Sequence, residues 1–177
     1  MRKLSLFIAC SLDGYIAGEN DDLSFLKTVE KAGEDYGYGT FTADIDTIII
    51  GSRTYDYVVK NIGEQHYDNG NNEVYVLTKT ERQNHGKINF YSGAIADLIH
   101  NLRSKPGKNI YCDGGAEVID SFLKAKLIDE IIISIIPVLL GNGIRLFKDG
   151  NTMQNLKLKQ TKPYDTGLVQ LHYKLER

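Results

Sequence analysis

The sequence predicts an α/β fold: a mostly parallel central sheet, helices on both of its faces, and an antiparallel hairpin at the C-terminus. Three observations predict it. Asn109 to Phe147 reads as strand, helix, strand, the signature of a parallel βαβ unit. Upstream, apolar runs keep alternating with helical patterns, the order that builds a parallel sheet. At the end of the chain, Val169, Leu171, Tyr173 and Leu175 alternate with Gln170, His172, Lys174 and Glu176. That is the period of a strand with one solvated face; with Leu156–Thr161 before it and a Pro163–Gly167 connection, it makes the hairpin.

Taken in order, residues 3–10 form the first strand and lead into Ser11–Gly18, where Asp13-Gly14 signals a turn. Glu34 to Thr42 predicts a short or irregular helix. Gly37 and Gly39 each weaken it by about 1 kcal/mol against alanine, so packing of Tyr36, Tyr38 and Phe41 must hold it. Asp46–Ile50 is a buried strand that ends at Gly51-Ser52-Arg53-Thr54-Tyr55, where a helix begins. The polar, glycine- and asparagine-rich run over 60–73 reads as a long surface loop. Glu73–Thr78 and Ile88–Tyr91 are the next strands. Ala94–Arg103 is a helix with Ile95, Leu98, Ile99 and Leu102 inward, stopped by Pro106-Gly107. In the central unit, Ile110, Tyr111 and Cys112 stop abruptly at Asp113-Gly114-Gly115. Val118, Ile119, Phe122, Leu123 and Leu127 then share one helical face, and Ile131–Leu140 reads as a strand buried on both sides.

Composition excludes several classes. The 177 residues are 42% hydrophobic and 25% charged, the balance of a globular protein, and predict one domain over 1–177. Net charge is −2, which provides no basic field for nucleic acid. No run reaches the roughly 18 apolar residues of a membrane span. The N-terminus begins a strand rather than a secretion signal, so a cytoplasmic protein is expected. Cys10 and Cys112 sit in apolar runs as small hydrophobes, and His66, His85, His100 and His172 share no ligand spacing, so no metal is expected.

The glycines at 114 and 115 fall at a strand-to-helix turn. There the backbone can approach a ligand closely, and the free N–H groups of the helix start form an anion site. The whole stretch, GGAEVIDSFL followed by LIDEIIISIIPVLLGNGIRLF, resembles the C-terminal reductase domain of the bifunctional riboflavin-biosynthesis enzymes, a member of the dihydrofolate reductase-like superfamily. SLDGYIA and IIIGSRTY extend the resemblance over most of the chain. It implies a dihydrofolate reductase-like fold, NADPH as cofactor, hydride transfer to a small pterin- or pyrimidine-like heterocycle, and a homodimer paired through the C-terminal part.

The resemblance also implies site residues. Ala9, Ile16 and Ala17 would line the nicotinamide end. Gly51, Ser52, Arg53 and Thr54, with Thr78 and Lys79, would meet the adenosine end, and Gly114, Gly115, Ala116, Glu117 and Val118 the pyrophosphate. The family's arginine falls at Ser52, and here Arg53 is one residue later. Phe7 stands where riboflavin-type reductases carry a lysine, which argues against their phosphorylated ribosyl-pyrimidine substrate. Phe25 takes the tryptophan position of folate reductases, and Asp113 the place of a substrate-facing glutamate. Sixteen residues before Gly51, the spacing of the folate reductases' proton-relaying carboxylate, lies Asp35. Glu30 and Glu34 compete with it, and carboxylates are favoured at a helix start in any case. The alternative function is an NADPH-binding sensor or assembly module without turnover.

Overall fold

The computed structural model describes residues 1–68 and 70–176. Eight strands form one sheet in the order β5-β4-β3-β6-β1-β7-β10-β9, from β1 (Leu4–Ser11), β3 (Ile45–Gly51), β4 (Glu73–Leu77), β5 (Ile88–Tyr91), β6 (Asn109–Gly114), β7 (Glu130–Ile136), β9 (Leu156–Pro163) and β10 (Val169–Leu175). The first six named are mutually parallel; β10 runs antiparallel to β7, and β9 antiparallel to β10. Two short strands, β2 (Tyr15–Ala17) and β8 (Ile144–Arg145), pair separately.

Helices cover both faces, as their apolar stripes require. On one side α3 (Ile95–Ser104) and α4 (Ala116–Lys124) bring Leu98, Ile99, Ile119 and Phe122 onto Leu4, Leu6, Ile110 and Cys112. On the other, Phe41 of α1 (Tyr38–Ala43) and Tyr55, Val58 and Val59 of α2 (Ser52–Asn61) pack on Ile48, Ile50, Val74 and Tyr111. Both cysteines are buried and free, and burial pushes their thiols up, Cys10 to about 11 and Cys112 to about 12. No helix among the described residues is long and apolar enough to cross a membrane.

Three local expectations are corrected. The strand expected over Ile131–Leu140 ends at Ile136, because Pro137 has no N–H to continue the ladder. Ile132, Ile133 and Ile135 are only half-buried, and Leu139 is 72% exposed. The helix expected from Glu34 starts at Tyr38, after Gly37 at φ 81°. The 60–73 segment is not simply a surface loop. The helix α2 continues into it through Asn61, a 3-10 turn covers Glu64–His66, and Tyr67 is 2% exposed.

Candidate functional site

A cleft of about 1110 Å³ opens at the C-terminal ends of β1, β3, β4, β5 and β6, where open α/β sheets take their ligands. Its floor is made by two helix starts. Gly51 ends β3 one residue before α2, and Gly114-Gly115 join β6 to α4; neither helix carries a side-chain cap on its first N–H groups. The two turns touch. A Cβ on Gly115 would lie 2.8 Å from Thr54 Oγ1, and one on Gly51 3.0 Å from Val118 Cγ2. Gly114 sits at φ 106°, where only glycine is unstrained, and the Gly114–Gly115 peptide is cis. Two uncapped N-termini side by side concentrate N–H donors and positive dipole ends on one spot.

The rim joins two stretches far apart in the chain. The Asp13 carboxylate accepts N–H bonds from Leu140 (3.1 Å) and Gly141 (2.7 Å) and the Ser11 hydroxyl at 2.5 Å. The Ser11 hydroxyl, aided by those amides, holds the Asp13 carboxyl down at about 2. Leu146 N–H donates to Gly14 O, and a Cβ on Gly143 would collide with Ala17 O. SLDGYIA and PVLLGNG are therefore one folded unit, which places Ile16, Ala17 and Ile144 on the cleft wall.

Charges on the walls are mostly paired. Arg53 Nη2 reaches both oxygens of Asp21, at 2.8 and 2.9 Å, from the start of α2 to the loop after β2. Lys148 pairs with Glu117. Lys79 is exposed beside Thr78, whose hydroxyl is engaged in a local turn with Thr80.

At the inner end the wall is aromatic and carries one carboxylate. Asp113 accepts Tyr67 Oη at 2.5 Å on one oxygen and Tyr111 Oη at 2.6 Å on the other. Tyr111 also reaches Phe7 O at 3.2 Å, and the Phe7 ring packs against Tyr38 and Phe41. Burial, then the Asp113 charge, raises the phenols of Tyr38, Tyr67 and Tyr111 above their ordinary value.

Of the residues named from sequence, Phe7, Ala9, Ile16, Ala17, Gly51, Ser52, Arg53, Thr54, Thr78, Lys79, Asp113, Gly115, Ala116, Glu117 and Val118 line this cleft, and Gly114 is buried beneath it. Phe25 does not line it. Its ring is buried with Val29, Ile136 and Leu168 on the inner face of a 3-10 turn (Ser24–Val29), and Leu23 and Leu26 face the cleft instead. Glu30, Glu34 and Asp35 line a neighbouring cavity of about 580 Å³ that shares Phe7, Ala9 and Leu26 with the cleft. The Asp35 carboxylate accepts Gly37 and Gly39 N–H at 2.8 and 2.9 Å, and these bonds, that from Gly39 first, lower its pKa. Sequence reasoning missed Asp21, Tyr57, Tyr67, Tyr91 and Tyr111. Only Tyr111, in phase with Asp113 along one strand, carried a signal that could have been used. Among the described residues no cluster of histidine, cysteine and carboxylates could hold a metal ion.

A parallel sheet with an antiparallel C-terminal pair, and a cleft floored by two helix N-termini, defines a dihydrofolate reductase-like α/β protein. Dihydrofolate reductase from Enterococcus faecalis, solved in complex with NADP(H) and RAB-propyl, has the same fold: TM-score 0.68, 15% identity, over 99% of this chain and 97% of that one. Within that class the chain belongs to the RibD C-terminal domain family, whose model matches residues 2–170. The uncharacterized protein YwjB of Bacillus subtilis (strain 168) is 37% identical over 97% of both chains. A putative riboflavin biosynthesis protein from Shewanella sp. PV-4 superposes with TM-score 0.90 at 30% identity, over 99% of each chain.

Proposed function

We propose that the protein is an NADPH-dependent reductase that passes hydride to a small pterin- or pyrimidine-like heterocycle, acting in the cytoplasm as a homodimer. The observation that carries the reading is the contact between the two uncapped helix starts, Ser52–Thr54 and Gly115–Glu117, on the cleft floor. The residues fit a dinucleotide. The space above Gly115 is the space a Cβ would fill, so backbone donors lie open to a pyrophosphate. From there the cleft runs one way to Thr78, Lys79 and Tyr91, a polar and aromatic end suited to adenosine, and the other way to Ala9, Ile16 and Ala17, a flat apolar end suited to nicotinamide. Bound there, the reduced nicotinamide would supply hydride to a C=N or C=O carbon.

The protein's own part is positioning. Ala9 and Ala17, with no side chain beyond Cβ, leave room for a ring to lie flat. Leu23 and Leu26 add apolar wall to the cleft, and Phe7 and Asp113 line the end where the substrate would be reduced. The family and its NADP(H)-binding structural neighbour support the cofactor. Titration with NADPH and with NADH tests it, followed by loss of reduced-nicotinamide absorbance with a panel of dihydropterins, pyrimidinones and quinones. Failure to bind either nucleotide would overturn the reading. Binding without turnover on any acceptor would favour the sensor, the reading to which the diversion of Asp35 into a helix cap lends support.

A further inference from the structure

We propose that Lys148 is a cofactor-binding residue: its ammonium leaves the Glu117 carboxylate, with which it is paired at the start of α4, and takes the pyrophosphate of the dinucleotide. The charges of the cleft point to such a group. Among the described residues its lining holds three cations, Arg53, Lys79 and Lys148, and three carboxylates, Asp21, Asp113 and Glu117. Arg53 is paired with Asp21, and Lys148 with Glu117. A dinucleotide adds negative charge to a lining that has no positive excess. Its phosphates therefore need cations released from pairs the protein already holds.

Lys148 is delivered to the cleft floor by a segment fastened on both sides of it. Before it, Leu146 is 1% exposed, and its N–H donates to Gly14 O at 2.9 Å. After it, Asn151 Nδ2 donates to Lys148 O at 3.1 Å and to Asp120 Oδ1 at 2.9 Å, and Gln154 Nε2 donates to Leu123 O at 3.1 Å. Asp120 is buried on α4 one helical turn after Glu117, on the same face. The backbone of Lys148 is thus pinned against α4, while its side chain can turn. The pair it makes is of the kind a ligand displaces. The Lys148 and Glu117 side chains are 37% and 82% exposed, so water screens their attraction. A lysine ammonium is a compact point charge on a flexible stem, suited to trading one oxyanion for another. A pyrophosphate on the N–H groups of Gly115–Glu117 offers it more charge than one carboxylate does. Glu117 lies in the first turn of α4, where the helix dipole favours negative charge, so its side chain is a stand-in for the phosphate.

The inference deepens the reductase reading and rests on it for the dinucleotide. NADPH, NADH and inorganic pyrophosphate are each titrated, at fixed ionic strength, into the wild-type protein, Lys148→Gln and Glu117→Gln, with a melting curve for each protein. Lys148→Gln should weaken NADPH and NADH alike, by about tenfold, because the pyrophosphate is common to both. Glu117→Gln should tighten both by about threefold, because the lysine is no longer held by a carboxylate. A lysine that only tacked its loop to α4 would make the two variants act in the same direction. Unchanged affinity for both nucleotides in a folded Lys148→Gln would overturn the assignment and leave the reductase reading standing. Loss of affinity for NADPH alone would place the lysine on the 2′-phosphate and overturn its role at the pyrophosphate. Weaker binding in Glu117→Gln would overturn the exchange, whether or not Lys148→Gln folds. Wild-type binding of pyrophosphate but of neither nucleotide, lost in Lys148→Gln, would overturn the reductase reading and support the anion-binding role of the lysine. Binding of none of the three would overturn both.

Discussion

A Cβ at Gly115 would sit 2.8 Å from Thr54 Oγ1, over the donors of two helix starts. Its φ of −74° suits any residue, so the constraint is space and not backbone strain. Gly115→Val should therefore leave a folded protein whose NADPH affinity has fallen by more than about tenfold, read by isothermal titration beside a melting curve. Unchanged affinity would remove this turn from the nucleotide site. Asp13 acts at the same scale. Its folded pKa of about 2 lies below the ordinary 3.8, so its grip on Leu140 and Gly141 contributes fully above the ordinary value and is lost as pH falls from 3.8 through about 2. Hydrogen exchange at those two amides, corrected for intrinsic rate, should lose protection over that window, and Asp13→Asn should lack it already at neutral pH. Protection that ignores pH would take the carboxylate out of the rim. The glycines of the floor were singled out in sequence through the resemblance of the stretch around them, because a Gly-Gly at a strand-to-helix turn serves tight packing as readily as a ligand. Asp13 was legible only as a turn, since its partners lie 127 and 128 residues away. Tyr67 was hidden because one aromatic in a polar run has no periodicity to give it away.

Among the elements, α1 decides the fate of the carboxylate that spacing singled out. The two glycines that weaken its predicted helix are also the donors that Asp35 caps, so the carboxylate is spent on the helix start. A carboxylate held ionised by amide donors is a poor proton source, and it lines the side cavity rather than the cleft. Asp35→Asn, which keeps one capping oxygen, should preserve turnover within about twofold, and Asp35→Ala should lower the melting temperature. A fall of about 100-fold in turnover for Asp35→Asn, with melting unchanged, would restore the proton relay. The start of α2 is likewise committed: Arg53 faces Asp21 across the cleft mouth, at 79% and 34% side-chain exposure, and an exposed pair of this kind is weak enough to yield to a phosphate. Strands and helices were legible wherever an apolar run or stripe was uninterrupted, as in β3 and α4. The end of β7 was misread because Val138, Leu139 and Leu140 extend the apolar run past Pro137, the residue that stops it. Phe25, placed in the site by the resemblance alone, is buried with Val29, Ile136 and Leu168 inside the Ser24–Val29 turn, a packing to which no sequence period pointed.

At the scale of the molecule, the pairing of β1 with both β6 and β7 brings the two ends of the chain into one sheet, and it leaves β9 as an edge. The alternation in β10 announced a hairpin, but nothing in the pattern could say that β9 would stand outermost. All eight residues of β9 are exposed, including Leu156 at 44% and Leu158 at 51%. Open strand edges of that length template further pairing unless they are covered or charged. Lys157 and Lys159 guard part of it, yet Leu156 and Leu158 alternate with them and share one face, an arrangement that suits a self-complementary contact around a two-fold axis. The dimer proposed above would bury that face. Light scattering at micromolar concentration should then give twice the 19.9 kDa chain mass, and Leu156→Asp combined with Leu158→Asp should return the protein to 19.9 kDa with its melting curve still cooperative. A wild-type mass of 19.9 kDa across that range would mean that the lysines suffice to protect the edge and that the cleft is complete within one chain.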